Sequence, residues 1–347
     1  MTKLLACYNK DMKIRMNSSS GGIYYPLAKK IISDGGVVYG ACYEGTNVYH
    51  RRINSMDKIK PSCGSKYQPS ILEDTFRKVK IDLQNGLTVF FTGTPCQCEG
   101  LCSYVGSSDS LYCADFICHG IPSKKAWRKY LLSMKKHGIN ITSVNMRDKS
   151  SGWQEYSWKL TDSNETEYIQ TYSENAFMKG FLSDIYLRPS CYECFFKGID
   201  RKTDFTLGDY WGVQRIQPEL FDNNGISLVF IHSEKGLKLF DGIIEEIYCF
   251  DAPLHKVVET NPSCIYSNHK PIRRKEFFDK IDEGYDFIQL VNDMTKESTL
   301  KLLARRVKNM IKFRGGGGYS PLREWDTVLY LQMRRLFNNG NTIFCSV

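Results

Sequence analysis

Apolar positions recur at helical spacing early in the chain. Ile23, Leu27, Ala28, Ile31 and Ile32 lie on one face of a helix. Gly35 and Gly36 end it, and VVYGACY (37–43) follows as a buried strand. After a polar loop, residues 71–83 read as a second helix. LTVFFTG (87–93) is a dense apolar run that stops at Gly-Thr-Pro, as a core strand does on entering a ligand loop. A short helix over 97–105 and a strand LYCADFIC (111–118) complete an α/β unit. Ser123 then stands at the N-cap of a helix over 124–137.

From residue 141 the period changes from helical to alternating. ITSVNMR, YSWKLTD and EYIQTYS read as three antiparallel strands, with Ser151-Gly152 in the loop between the first two. A short aromatic helix over 176–187 follows. Residues 190–212 are loop with one strand, DFTLGDY. ISLVFIHS (226–233) is a strand and 235–247 a helix. Near the end, 300–314 is a basic amphipathic helix, 315–318 are four glycines, and 324–337 is helical. The expected class is α/β: a mixed sheet core with flanking helices, an antiparallel β insertion and a helical C-terminal tail. The expected regions are an α/β cofactor-binding part over 1–85, a catalytic part over 86–272 and the tail over 273–347.

Composition narrows the function classes. A chain of 347 residues that is 42% hydrophobic can bury a large core and exceeds one simple domain. The net charge of +9 first suggests nucleic acid. Its basic residues are dispersed, however, and no helix-turn-helix, zinc-finger or RNA-binding motif accompanies them. The charge suits phosphorylated ligands, nucleotide cofactors or an acidic carrier protein instead. No secretory leader and no apolar run of about 18–20 residues stands out, so a cytoplasmic location is expected. The 300–314 helix could touch an anionic membrane; packing on its own domain or a partner is the expectation.

The chain has 13 cysteines. In a reducing cytoplasm they are buried small hydrophobes or metal ligands rather than a disulfide framework. Cys191 and Cys194 form a C-x2-C pair, a spacing shared by zinc and iron–sulfur sites, and two further ligands must come from elsewhere. Cys96 in TGTPCQ and Cys118 in CHGIPS each follow a core strand directly, in loops that can lie side by side. Cys98 and Cys102, at i, i+4 on the following helix, could mimic a ligand pair; helix packing is the preferred reading. Cys7, Cys42, Cys63, Cys113, Cys249, Cys264 and Cys345 are read as isolated and structural.

Other loops carry binding chemistry. Ser19, Ser20, Gly21 and Gly22 offer hydroxyls and backbone N–H groups at a helix start, a place for a phosphate; a capped, flexible helix start is the alternative. Ser65, Lys66 and Tyr67 put a hydroxyl, a cation and a ring together, and Thr92, Gly93 and Thr94 permit close backbone approach. Arg147 with Trp153 can hold a phosphate and stack on a ring. His119 can move a proton, or be a structural histidine in a turn. Asp209 can accept from a sugar hydroxyl, and Trp211 can cover a ring or fill the core.

Eight blocks resemble, in order, the beta-subunit family of coenzyme F420-reducing hydrogenases and dehydrogenases: SSSGGIYYPLA, GGVVYGACY, GSKYQPS, FTGTPCQ, CHGIPS, MRDKSSGW, FMKGFLSDIYLRPSCYECFFKG and TLGDYWG. They span roughly residues 5–270. The resemblance implies FAD and a 4Fe-4S cluster; Cys96, Cys118, Cys191 and Cys194 are then the candidate ligands, and Lys66 and His119 the candidates to stand beside the flavin. It also implies a reductase that takes electrons from an external ferredoxin-like donor, because the ferredoxin-like domain found at the start of many members is not seen here. The implied substrate is a small molecule, a sugar or sugar nucleotide of surface-polysaccharide synthesis. Cys98 stands where an apolar residue is usual. The rival readings are a glycan-assembly transferase with a structural zinc and a non-catalytic electron-transfer subunit.

Overall fold

The structure, a computed structural model, describes residues 2–296. The 300–314 helix, the glycine run, the 324–337 helix and Cys345 lie outside the described residues. Up to Thr295 the chain forms one compact unit.

Its centre is an eight-stranded mixed sheet built from β1 (Lys3–Asn9), β2 (Val37–Glu44), β3 (Asn47–Ile53), β4 (Val89–Thr92), β5 (Leu111–Phe116), β9 (Phe205–Asp209), β10 (Ser227–Ile231) and β11 (Ile247–Asp251). A separate three-stranded antiparallel sheet holds β6 (Ile141–Asp148), β7 (Ser157–Asp162) and β8 (Glu167–Thr171). The large sheet runs β11-β1-β10-β9-β5-β4-β2-β3. The four consecutive strands β9, β5, β4 and β2 are parallel to one another, and antiparallel pairs flank them on both sides. Parallel strands are buried on both faces, which is why Val89, Phe90 and Phe91 form an unbroken apolar run.

Helices cover the two faces. Leu27, Ala28 and Ile31 of the helix Tyr24–Ser33 pack with Phe240 over one side. Val79 of the helix Thr75–Gln84 and Leu101 of the helix Pro95–Val105 pack over the other. The small sheet lies on an aromatic core in which Trp127, Tyr130, Trp158, Phe177 and Phe287 meet.

Four expectations change. The polar loop after β2 contains β3, formed because Gly45 (φ 60°) turns the chain into a hairpin before the β-rich run NVYHRRI. The second helix begins at Thr75, since Ile71 instead bridges to Tyr49 beside β3. The aromatic helix ends at Leu182. The helix over 235–247 stops at Asp241, and Ile247–Asp251 pairs with β1 as an edge strand.

Candidate functional site

The loops that leave the C-terminal ends of β4, β5 and β9 all open into one cavity of about 720 Å³. Crevices beyond the carboxyl ends of parallel strands are where open α/β sheets bind ligands. The volume is that of a substantial small-molecule or cofactor site. Ser19, Ser20, Gly22, Ser65, Lys66, Tyr67, Thr92, Gly93, Thr94, Arg147, Asp209, Trp211, His119 and Cys96 line it. Gly21 and Trp153 do not.

Two polar loops distant in sequence meet at one wall. Ser65 donates to Ser19 (Oγ–Oγ 2.8 Å). The serines do not cap a helix as expected. The helix starts at Tyr24 with Ile23 at its N-cap, and Ser20 Oγ donates to the Ile226 carbonyl. Gly21 is needed for packing: a Cβ there would lie 2.2 Å from the Cys7 carbonyl oxygen and 2.8 Å from the Ser227 nitrogen. The Lys66 ammonium donates to the Cys63 and Gly64 carbonyls at 2.8 and 2.9 Å. Burial pushes it down to about 8.

The adjoining wall is a buried charge array. Arg147 sits near the end of β6, 1% exposed in its side chain, and donates to Tyr67 Oη (2.8 Å) and Asp209 Oδ1 (2.9 Å). Its guanidinium lies over Tyr156 and Trp211. Its Nε has no partner. Burial acts against the charge, but Asp209 and the phenols of Tyr67 and Tyr156 outweigh it and hold Arg147 above its ordinary value. Trp153 lies behind this wall. Its Nε1 donates to Asp209 Oδ1 (2.7 Å), and its ring stacks on Trp211 at 5.0 Å and 2°. Trp211 therefore faces the cavity while Trp153 fixes its plane. Lys149 turns inward and donates to the Arg15, Ser20 and Asn224 carbonyls. It stitches the end of β6 to the serine loop.

Cys96 lines a further side, and Cys118, Cys191 and Cys194 lie near it outside the cavity lining. Thr94 caps the helix Pro95–Val105 in a reciprocal box with Gln97, and Pro95 opens the first turn. This presents exposed Cys96, whose Sγ is 3.1 Å from Thr94 Oγ1. The loop 117–123 is stitched to 186–191: Ser123 N–H donates to the Tyr186 carbonyl, Arg188 N–H to the Ile121 carbonyl, and Ile121 N–H to Cys191 Sγ (3.4 Å). Lys197 bridges the Cys118 and Ser263 carbonyls. As a result Cys118 and Cys191 lie close enough to the other thiols of this group to feel their charge. Burial pushes Cys118 up to about 12, Lys197 pulls it down, and the other three thiols push it up. Burial raises Cys191 as well, against the Ile121 N–H. Lys197 is lowered by its own burial. Among the described residues no three His, Cys, Asp or Glu side chains are already drawn together as a metal-binding group. The donor set is nonetheless the all-thiol set that iron–sulfur centres use.

His119 Nε2 is 2.8 Å from Asp184 Oδ1, and the Asn268 amide donates to Asp184 Oδ1 and to the His119 carbonyl. The ring therefore has a carboxylate partner at the cavity's edge. Cys98 is fully buried with its thiol toward the Ala114 carbonyl, in keeping with a packing role. The isolated reading fails for three cysteines: Cys7 Sγ lies 3.0 Å from Cys249 Sγ, and Cys113 Sγ lies 3.9 Å from Cys102 Sγ.

His50, Gln68, Asp115, Tyr156 and Arg188 also line the cavity and escaped sequence reasoning. His50 lies on β3, read as loop; Nε2 pairs with the Thr92 carbonyl and burial pushes the ring down to about 4. The β-branched and aromatic residues of NVYHRRI were the available signal. Asp115 is buried on Arg201, Thr203 and Thr206, and burial pushes it up to about 6 against Arg201. Nothing in its local sequence distinguishes it from a core polar residue.

Residues 86–255 match the family model for the C terminus of the coenzyme F420 hydrogenase/dehydrogenase beta subunit. Over these residues the chain is similar to that family. The matched segment contains all four gathered cysteines together with Arg147, Asp209 and Trp211. No curated protein matches the chain. A solved structure, a chain of the F420-reducing NiFe hydrogenase complex from Methanosarcina barkeri, aligns with a TM-score of 0.51 at 12% identity, covering 82% of this chain and 93% of that one. That likeness is one of fold. No helix among the described residues is long and apolar enough to cross a membrane.

Proposed function

We propose that this chain is an iron–sulfur flavoprotein oxidoreductase that accepts electrons from a separate ferredoxin-like protein and delivers them to a small-molecule substrate. The observation that carries the reading is a group of four neighbouring thiols from three separate segments, one of which, Cys96, lines a large cavity walled by hydroxyls, cations and aromatic rings. When bound, a 4Fe-4S cluster supplies one-electron transfer and FAD supplies exchange between single electrons and hydride, chemistry no side chain performs.

Cys96, Cys118, Cys191 and Cys194 would hold the cluster. The thiol chemistry fits, and the raised Cys118 and Cys191 would release their protons on metal binding. The cavity fits a flavin in kind. Trp211 offers a ring face held by Trp153. Arg147, with an unpartnered Nε, and Lys66 place positive charge at two walls, where anionic groups are stabilised. Ser19, Ser20, Gly22, Ser65, Tyr67 and Thr92–Thr94 supply hydroxyls and close backbone, and Asp209 positions Arg147. His119, oriented by Asp184, holds a proton at the edge of the cavity. The sugar or sugar-nucleotide substrate rests on the family resemblance.

Anaerobically purified protein should be brown, contain about four irons per chain and release flavin on boiling. Serine replacement of each of the four cysteines should lower iron content. A colourless protein with stoichiometric zinc would overturn the reading in favour of a transferase with a structural zinc. The fold neighbour belongs to a hydrogenase complex, which favours a second reading as an electron-transfer subunit. Substrate reduction by the isolated chain with a chemical reductant decides between the two.

A further inference from the structure

Away from the cavity, at the sheet edge, two cysteines read from the sequence as unrelated face each other. Cys7 on β1 and Cys249 on β11 are directly opposed in the antiparallel register. Opposed residues in such a pair have Cα atoms about 4.5–5.5 Å apart, inside the span a disulfide requires. The sulfurs are already in contact at 3.0 Å. Cys7 is fully buried, whereas Cys249 is half-buried on the outermost strand and reachable from solvent.

We infer that Cys7 and Cys249 are a dithiol modification site that exchanges with low-molecular-weight disulfides, oxidised glutathione being the type, to form a cross-strand disulfide. Cys249 attacks. The hydrogen bond from Cys7 holds its thiol below the ordinary value, and Lys3 and Lys10 act in the same direction. Burial and the contact with Cys249 raise Cys7, so it follows as the resolving thiol. In the first step the Cys249 thiolate bonds to one glutathione sulfur, the glutathione S–S bond breaks, and the departing thiolate takes a proton. Cys7 then loses its proton and attacks the Cys249 sulfur, and the second glutathione leaves as a thiol. Two protein thiols are oxidised by two electrons and one small disulfide is reduced to two thiols. The site is independent of the proposed cofactors.

The full chain, purified anaerobically, is incubated with oxidised glutathione, alkylated with iodoacetamide, digested without reduction and mapped by mass spectrometry. The expected product is one peptide pair joined through Cys7 and Cys249 that disappears on reduction. In Cys7→Ser the reaction stops at a glutathione adduct on Cys249, and in Cys249→Ser the buried Cys7 gains no adduct. Recovery of both residues alkylated in the native protein overturns the inference. So does a persistent glutathione adduct on native Cys249, or its linkage to any other cysteine. None of these outcomes depends on bound iron or flavin.

Discussion

Arg147 Nη2 lies 2.9 Å from Asp209 Oδ1, and the same oxygen accepts from Trp153 Nε1 at 2.7 Å. One carboxylate thus neutralises a buried guanidinium and satisfies a buried indole. Asp209→Ala strands both donors. Leaving one partner of a buried pair costs about 3–5 kcal/mol. Asp209→Asn keeps an acceptor and loses only the charge, so its loss should be smaller. Urea unfolding of the three proteins, with unchanged slope, gives the comparison. A cost under about 1 kcal/mol for the alanine variant, the scale of an exposed pair, would mean the wall is wet and the pair solvated.

Lys66 gives the cavity a pH signature. Its folded-state value is about 8, lowered by burial, and an unfolded lysine titrates near about 10.4. Between those values the unfolded chain holds a proton that the folded chain has released. Stability should therefore rise with pH through this window and be least favourable below it, where the buried ammonium must stay charged. Lys66→Met should flatten the rise. An anion bound beside Lys66 should raise its folded value and flatten the wild-type curve too. Thermal unfolding from pH 7 to 10, with and without inorganic phosphate, measures both. A wild type that runs parallel to Lys66→Met across the window contradicts the assignment.

Much of this site was legible because its residues sit where parallel strands end. The runs before TGTPC and CHGIPS, and DFTLGDY before Trp211, announce strands by unbroken apolar or β-rich composition. The loops following them carry the chemistry. Edge strands were harder. β11, and β1 beside it, are paired on long-range partners, β3 is an edge strand reached through a local hairpin, and Tyr248, Phe250 and their neighbours alternate too weakly to declare a strand alone. The inward turn of Lys149 and the place of Trp153 behind Trp211 depend on tertiary packing. No local pattern encodes which face of a loop meets the cavity.

Gly21 separates the two readings of the serine–glycine loop. Its added Cβ would collide with backbone atoms of β1 and β10, neither of which can rotate away. Gly21→Ala should cost about 3 kcal/mol or more, at the upper end of overpacking penalties. Flavin affinity per folded molecule should hardly change, since Gly21 does not line the cavity. Titration of FAD against the folded fraction, alongside urea unfolding, tests this. A stable Gly21→Ala protein with weakened flavin binding would return Gly21 to the proposed cofactor site.

Cys96 and Cys98 lie two residues apart on one helix and should behave oppositely. Cys96 is exposed on the first turn, toward the thiols of Cys118 and Cys191, whereas Cys98 is fully buried against the Ala114 carbonyl. A serine at 98 keeps a donor for that carbonyl and removes only a polarisable sulfur. Cys98→Ser should cost about 1 kcal/mol, the scale of a modest core substitution, and leave iron per chain unchanged. Cys96→Ser should leave stability of the iron-free protein near wild type and lower the iron content. Iron assay and unfolding of the two variants side by side form a double dissociation. Iron loss in Cys98→Ser with full iron in Cys96→Ser would move the fourth ligand inward along the helix and require its first turn to rewind around the metal.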